Sequence, residues 1–319
     1  MQGVLNGYGN QWFVERKRMA DLTVIILTYN EELHIERCIR SLEKATPNIF
    51  VVDSFSTDRT TEIASSLGAD VVQHAFINQA SQFNWALDNL PIQTEWVMRL
   101  DADEYLDADL QKELPVLLSR ISSDVDGIYI RRKVFFHSQW IRYGGFYPHI
   151  LLRIWRMRKG RIEQRWMDEH AVLPPESKTI TAKGHLVDDN HKGITFWIDK
   201  HNKYATREAV DILNLKYSLL PRDTALQEIE DPQAKKKRWL KENIYTRLPI
   251  GLRAGLYFFY RYILLLGFLD GSQGFVWHFL QGFWYRLLVD IKIKEIEEKS
   301  DGDVEKIKKT LFEEHGLKI

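Results

Sequence analysis

Three clusters of polar residues in this chain each follow a short apolar run, and their chemistry suits a phosphorylated ligand. Thr28, Tyr29, Asn30 and Glu32 follow the run Leu22 to Thr28 (LTVIILT). Asp53, Ser54, Ser56 and Asp58 follow Ile49 to Val52, and Asp101-Ala102-Asp103 follows Glu95 to Leu100 (EWVMRL). Carboxylates in such places can accept hydrogen bonds from a base edge and a ribose. Two more, two residues apart, can hold a hard divalent cation that bridges phosphates. A D-x-D triplet alone says little, because the chain holds four: Asp101/Asp103, Asp107/Asp109, Asp124/Asp126 and Asp301/Asp303. Only the first directly follows an apolar strand of the buried kind.

The elements around these clusters explain how they would meet. The β-branched run LTVIILT reads as a strand buried on both faces of a parallel sheet. Asn30 offers an N-cap, with Glu31 and Glu32 in the first turn, and Ile35, Cys38, Ile39 and Leu42 repeat at helical spacing. The unit then recurs. A strand at Ile49 to Val52 ends at Asp53, Asp58 caps a helix carrying Ile63, Ala64 and Leu67, and Gly68 sits where a helix C-terminal glycine belongs. Val71–Val72 begin a third strand, a helix runs around Gln82 to Leu90, and EWVMRL is a fourth strand. The expected fold is α/β, an open, doubly wound, mostly parallel sheet flanked by helices, with ligands beyond the strands' carboxyl ends. Residues 127–200 read as a binding wall with a mobile loop rather than a second core. From roughly Ala205 the pattern turns helical. The expected organisation is an N-terminal arm over 1–20, a catalytic domain over 21–205 (halves 21–106 and 107–205), and a helical region over 206–319.

Composition narrows the function classes. The chain is 45% hydrophobic and 28% charged with a formal net charge of zero, which excludes a general polyanion binder. One cysteine, Cys38, excludes an internal disulfide and a Cys-rich zinc site, and reads as a small apolar residue on a helix face. The first eighteen residues lack the apolar stretch of a secretory signal, and no window offers eighteen uncharged apolar residues. The expected location is the cytoplasm or its membrane face. Between Lys235 and Arg261 there are eight Lys/Arg and one acid, Glu242, followed by YILLLGFL and FVWHFLQGFWYRLLV. Basic residues beside aromatic, apolar helices read as interfacial anchors on anionic lipid, and so much apolar surface argues against nucleic acid. Arg253, Arg261 and Arg286 interrupt the runs and argue against a full span. The last stretch, IKIKEIEEKSDGDVEKIKK, reads as a solvated helix.

Three ordered motifs, TVIILTYNEELHIERCIRSL, VVDSFSTDRTTEIA and LDADEYL, resemble the family 2 glycosyltransferases of the GT-A fold. The resemblance is tight over residues 21–106 and loose to Arg207. Within that family the chain is most similar to bacterial enzymes of lipopolysaccharide core or O-antigen synthesis, through GGFYPHILLRIWR, DEH and GFLDG. It implies that Thr28, Tyr29, Asn30, Glu32, Asp53, Ser56, Arg99, Asp101 and Ala102 embrace a nucleotide-sugar, with Asp53 at the base. It also implies that Asp101 approaches ribose and metal, that Asp103 ligates Mn²⁺ or Mg²⁺, and that UDP is the nucleotide. His191 is the candidate third ligand, and Arg153 and Arg156 are candidates for diphosphate oxygens.

An inverting transfer needs a carboxylate to deprotonate the acceptor hydroxyl. By resemblance that base is Glu169, with Asp168 the alternative. Processive synthases of the family carry Q-x-x-R-W after the base. Here Gln164-Arg165-Trp166 has other spacing and precedes the acid pair, so one sugar per encounter is expected. The acceptor this implies is a lipid-linked glycan at the cytoplasmic face of the bacterial inner membrane. A sugar nucleotidylyltransferase would need a Gly-rich, Arg- and Lys-containing loop where this chain has TYNEE. A non-catalytic membrane-associated scaffold with the same fold would have no need of Asp53, Asp101 and Asp103 together.

Overall fold

The computed structural model describes residues 20–163, 170–219, 249 and 251–317. They group into two compact units, one of residues 20–135, 148–163 and 170–191, the other of residues 136–147 and 192 onward. In chain order the elements up to residue 191 are β1 (Leu22–Thr28), α1 (Ile35–Arg40), β2 (Asn48–Asp53), α2 (Thr60–Ser66), β3 (Asp70–Gln73) and α3 (Gln79–Asn89). Then come β4 (Trp96–Asp101), β5 (Glu104–Leu106), α4 (Ala108–Arg120), β6 (Val125–Phe136), β7 (Gln139–Ile141), β8 (His149–Arg156), β9 (Arg161–Ile162), β10 (Ala171–Val172) and β11 (Lys178–Asp189).

The main sheet of the first unit runs β3-β2-β1-β4-β8-β6-β11-β5. β1 is buried on both faces, which is why it reads as a continuous apolar run. Leu22, Val24 and Ile26 pack in one core cluster, and Ile25 packs with Val52 and Phe83 in another. Its register carries the functional consequence: Thr28 lies opposite Asp53 and Leu27 opposite Asp101. The three polar clusters therefore leave the sheet at one level.

Several expectations need correction. Only β3, β2, β1 and β4 form a run of parallel neighbours. β8 is antiparallel to both β4 and β6, β11 is parallel to β6, and β5 is antiparallel to β11, so the sheet is mixed rather than mostly parallel. Much of 127–200, read as wall and mobile loop, is the second half of this sheet. β6 and β11 are twelve residues each, and half-buried Arg131, Arg132 and Lys133 interrupt the apolar alternation of β6. Asn30 is not an N-cap. The helix starts at Ile35, and Asn30 takes a left-handed conformation (φ 54°) that Asn tolerates better than most residues. Asp58 does reach the first turn of α2, accepting from Thr60 N at 3.0 Å, and Gly68 has φ +83° as a C-terminal glycine should.

The second unit is helical from α5 (Gly193–Tyr217), so the helical pattern begins ahead of Ala205. Next come α6 (Leu252–Phe259) with a π-helical turn at Tyr260–Leu264, a 3₁₀ turn at Gly267–Asp270, and α7 (Gly271–His278) with a second π-turn at Phe279–Trp284. α8 (Tyr285–Ser300) and α9 (Val304–His315) complete it. The mixed-charge end is thus two helices broken at Asp301, and they are packed rather than solvated all round. Val210 and Leu213 of α5 share a core with Ile296, Ile307 and Leu311. Tyr285 and Arg286 both bond the Glu208 carboxylate, at 2.8 and 2.6 Å. No single helix among the described residues is long and apolar enough to cross a membrane. The pair Leu252–Leu264 and Gly267–Ser300 is bent by 73°.

One glycine fixes how closely α4 approaches the sheet. A Cβ at Gly184 of β11 would overlap the backbone nitrogen of Leu110, and backbone cannot swing aside. Gly184→Ala is expected to destabilise the first unit by about 1–3 kcal/mol, read as a lowered midpoint in urea titration.

Candidate active site

The loops after β1 and β2 are laced together by reciprocal hydrogen bonds. Asn30 N donates to Ser56 Oγ (2.8 Å), while Thr57 N donates to Asn30 Oδ1 (2.8 Å). Glu31 N donates to Thr60 Oγ1 (2.7 Å) and Glu32 N to Asp58 Oδ2 (3.1 Å); Arg59 N returns a bond to Glu32 Oε2 (3.2 Å). Asp53 anchors the set. It is fully buried and accepts from Thr28 Oγ1 (3.1 Å), Ser56 N (2.9 Å), the Ser56 hydroxyl and Gln73 Nε2 (3.4 Å). Sequence reading assigned Asn30, Glu32, Asp53 and Ser56 to the ligand; here each also builds the loops. Tyr29 (58% exposed) stands out from this framework, as does Phe55 (54%), which takes φ 60° and was not singled out from the sequence.

The Asp101–Asp103 turn rests on a buried charge network. Glu104 is 1% exposed. Its carboxylate accepts from Arg153 (2.6 Å), Arg132 (3.4 Å) and the Asp101 backbone N–H (3.2 Å). Arg99 donates to Gln79 Oε1 (2.9 Å) and lies 3.4 Å from Asp101, and Arg132 also reaches Asp188 at 3.4 Å. Burial pushes the Glu104 carboxyl up to about 7, opposed by Arg153 and Arg132 and reinforced by Asp101 and Asp188. Beneath the turn, Cys38 donates to Asp101 O at 3.8 Å, and burial raises its thiol pKa well above the ordinary value. Ala102 is buried.

The end of β11 closes the far side. Asn190 Nδ2 donates to Asp103 Oδ2 (3.0 Å), and Asp189 N donates to Asp103 O (3.2 Å). Arg37 of α1 clamps Asp189 at its carboxylate (2.7 Å) and carbonyl (2.5 Å). His34, fully buried, accepts His191 N–H at Nε2 (2.9 Å), so its proton sits on Nδ1 facing Glu31 (2.7 Å).

Thr28, Asp53, Asp101 and Asp103 are therefore gathered at adjacent strand ends, and Arg153 enters through Glu104. Arg156 does not. It pairs with Trp96 at the opening residue of β4, stacks on that indole and bonds Glu95, at the opposite end of the strand from Asp101. Three residues of antiparallel strand carried it away. Asp168 and Glu169 lie outside the described residues. His191 is joined to the turn through Asp189, whose carboxylate holds its Nε2 at 2.8 Å. Among the described residues no three His, Cys, Asp or Glu side chains form a metal cluster, so Asp101, Asp103 and His191 do not make a closed site. Asp101 and Asp103 still offer the hard oxygen donors that Mg²⁺ or Mn²⁺ takes. Sites of this kind commonly use one or two carboxylates and are completed by substrate phosphates. The other triplets do structural work: Asp107 caps α4 and Asp303 caps α9, while Asp124 pairs with Lys178.

Residues 23–175 match the family model described as Glycosyl transferase family 2, so this stretch is similar to the domains of that family. An uncharacterized glycosyltransferase of Rickettsia typhi is 35% identical over 106 residues, 33% of this chain and 36% of that protein. The match thus spans little more than a third of that relative. Lipopolysaccharide core biosynthesis glycosyltransferase LpsC of Rhizobium meliloti is 29% identical over 197 residues, 59% of this chain and 70% of that protein. Among solved structures, S. aureus TarS 1–349 in complex with UDP-GlcNAc is 15% identical, covering 86% of this chain and 91% of that one with a TM-score of 0.46.

Two outcomes follow from the buried network. Arg153→Met strands Glu104 beside a single arginine, and is expected to cost about 3–5 kcal/mol of stability, measured by denaturant unfolding. The second concerns pH. The Glu104 pKa is about 7 folded against an ordinary 4.5, so the folded state binds its proton more tightly. Its contribution is full below the unfolded value and is lost as pH rises through 7. Glu104→Gln is expected to remove that decline, flattening unfolding midpoints between pH 4.5 and 7 relative to wild type.

Proposed function

We propose that this chain transfers one sugar at a time, with inversion, from a nucleotide-sugar to the saccharide head of a lipid-linked acceptor. One observation carries the reading: within a stretch similar to family 2 domains, the β1 and β2 loops and the Asp101–Asp103 turn leave adjacent strands at one level. The crevice beyond the carboxyl ends of such strands is where open α/β sheets bind ligands.

In this reading exposed Tyr29 offers a ring face to the base, and Thr28 and Asp53 hold the loop that receives it. Asp101 meets the ribose, its backbone fixed by Glu104 and its carboxylate near Arg99 and Arg153. Asp103, oriented by Asn190, is the residue that would hold Mn²⁺ or Mg²⁺, and such an ion would supply stabilisation of the negative charge on the leaving group. A carboxylate from Asp168-Glu169, Glu169 first, takes the acceptor proton as its oxygen attacks the anomeric carbon. The name of the LpsC relative supports an acceptor in lipopolysaccharide core or O-antigen synthesis. UDP-sugars are the donors to assay first.

The test is hydrolysis and binding across a panel of nucleotide-sugars with Mn²⁺, Mg²⁺ or EDTA. Metal-dependent turnover of one donor is expected. Asp103→Ala should lower kcat/KM at least about a hundredfold. Glu169→Gln should slow transfer about 10²–10⁴-fold while donor binding persists. Should no nucleotide-sugar bind with either metal, a non-catalytic role takes the place of this one.

A further inference from the structure

The helices from Leu252 to Phe279 are built inside out. Every exposed residue in that stretch is apolar apart from Tyr260, Gly271 and Ser272. Leu256, Phe259, Ile263, Leu264, Phe268 and Phe279 alone are each 40–61% exposed. The charged side chains of the same stretch point the other way. Arg253 makes a buried two-pronged pair with Asp290. Arg261 donates to Gly144 O at 2.8 Å and lies over the Phe146 ring. Asp270 accepts the backbone N–H groups of Arg142 and Tyr143 at 3.1 and 2.8 Å. These arginines, which in the sequence argue against a full span, are thus removed from the outer face.

We infer that this face is a shallow membrane insert: α6 and α7 with their π-turns enter one leaflet of an anionic bilayer and turn back. Three features favour lipid over protein. A protein partner normally meets a polar rim with about one hydrogen bond per 100–200 Å², and this face presents no charged residue at all. Lipid demands what is seen here, charges turned inward and bonded to side chain or backbone. The sequence just before it, from Lys235 to Arg247, carries six Lys/Arg against one Glu, complementary to anionic headgroups. The break between the two limbs favours dipping over spanning. The limb Leu252–Leu264 rises only about 20 Å, short of the roughly 30 Å hydrocarbon core, and the chain then bends by 73°. Left-handed Leu266 (φ 60°) lies at that bend.

The experiment uses the full chain, with vesicles of phosphatidylethanolamine and phosphatidylglycerol, and is independent of the transferase reading. Wild type is expected to co-sediment. Leu264→Glu combined with Phe268→Glu, both on exposed positions, should lower vesicle partitioning at least about tenfold while circular dichroism melting is unchanged. A Leu264→Trp variant should have its added fluorescence quenched by lipids brominated on the acyl chains, which a merely electrostatic contact would not do. Three results would overturn the insert: wild type left in the supernatant, no acyl-chain quenching, or a lipid-free dimer by light scattering that the double variant dissociates. The last would assign the face to a second copy. Donor hydrolysis, read in the same preparations without vesicles, separates failure of this inference from failure of the proposed activity.

Discussion

A carboxylate cannot be taken out of water without compensation, and Glu104 lies almost wholly out of it. Its neutralising partners come from two other strands, Arg153 on β8 and Arg132 on β6, and its own oxygen fixes the backbone of Asp101 at the end of β4. Four strands are thereby committed to one geometry at one end of the sheet. The desolvation penalty of such a cluster rivals its Coulombic gain, so it is poor evidence for extra stability. What it supplies is placement: the Asp101–Asp103 turn has little freedom to shift while those arginines stay where the sheet puts them.

The opposite wall uses neutral chemistry for the same end. Loops normally leave backbone groups for water to satisfy, but the β1 and β2 loops satisfy one another. Side chains of each accept from the backbone of the other, and Asp53 ties both to the strand ends. Because the donors and acceptors are reciprocal, neither loop can change conformation alone. A site bounded by a charge-locked turn and a pair of interlocked loops is largely preformed, which limits the ordering entropy that a ligand must overcome.

The parallel half was legible in the sequence because its signals are local. Doubly buried β1 and the Ile49–Val52 stretch of β2 are unbroken apolar runs, and the polar residues after them mark where each strand leaves the sheet. The mixed half was not legible. β6, β8 and β11 pair across long stretches of chain, and Arg131 to Lys133 break the apolar alternation of the strand that carries them. Glu104 illustrates the loss. Sequence reading did not single it out, although it shares a face with Leu106 in β5 and so points to the buried side. A period-of-two reading of EYL would have exposed a charge in a core position. Arg156 failed for the converse reason, since proximity to Arg153 in sequence says nothing about which end of an antiparallel strand a residue reaches. The catalytic base candidates Asp168 and Glu169 lie outside the described residues, and their assignment still rests on motif resemblance.

The two halves of the sheet also differ in how the chain visits them. β1 to β4 are laid down in one uninterrupted passage ending at Asp101, and nearly every residue assigned here to the donor belongs to that passage. The remaining strands are threaded out of order, with β8 placed between β4 and β6, and β11 inserted between β6 and β5. In genetic terms the two halves are nevertheless successive stretches of coding sequence, residues 22–101 and 104–189, that adjoin without interleaving. A lineage can therefore diversify one stretch while inheriting the other intact.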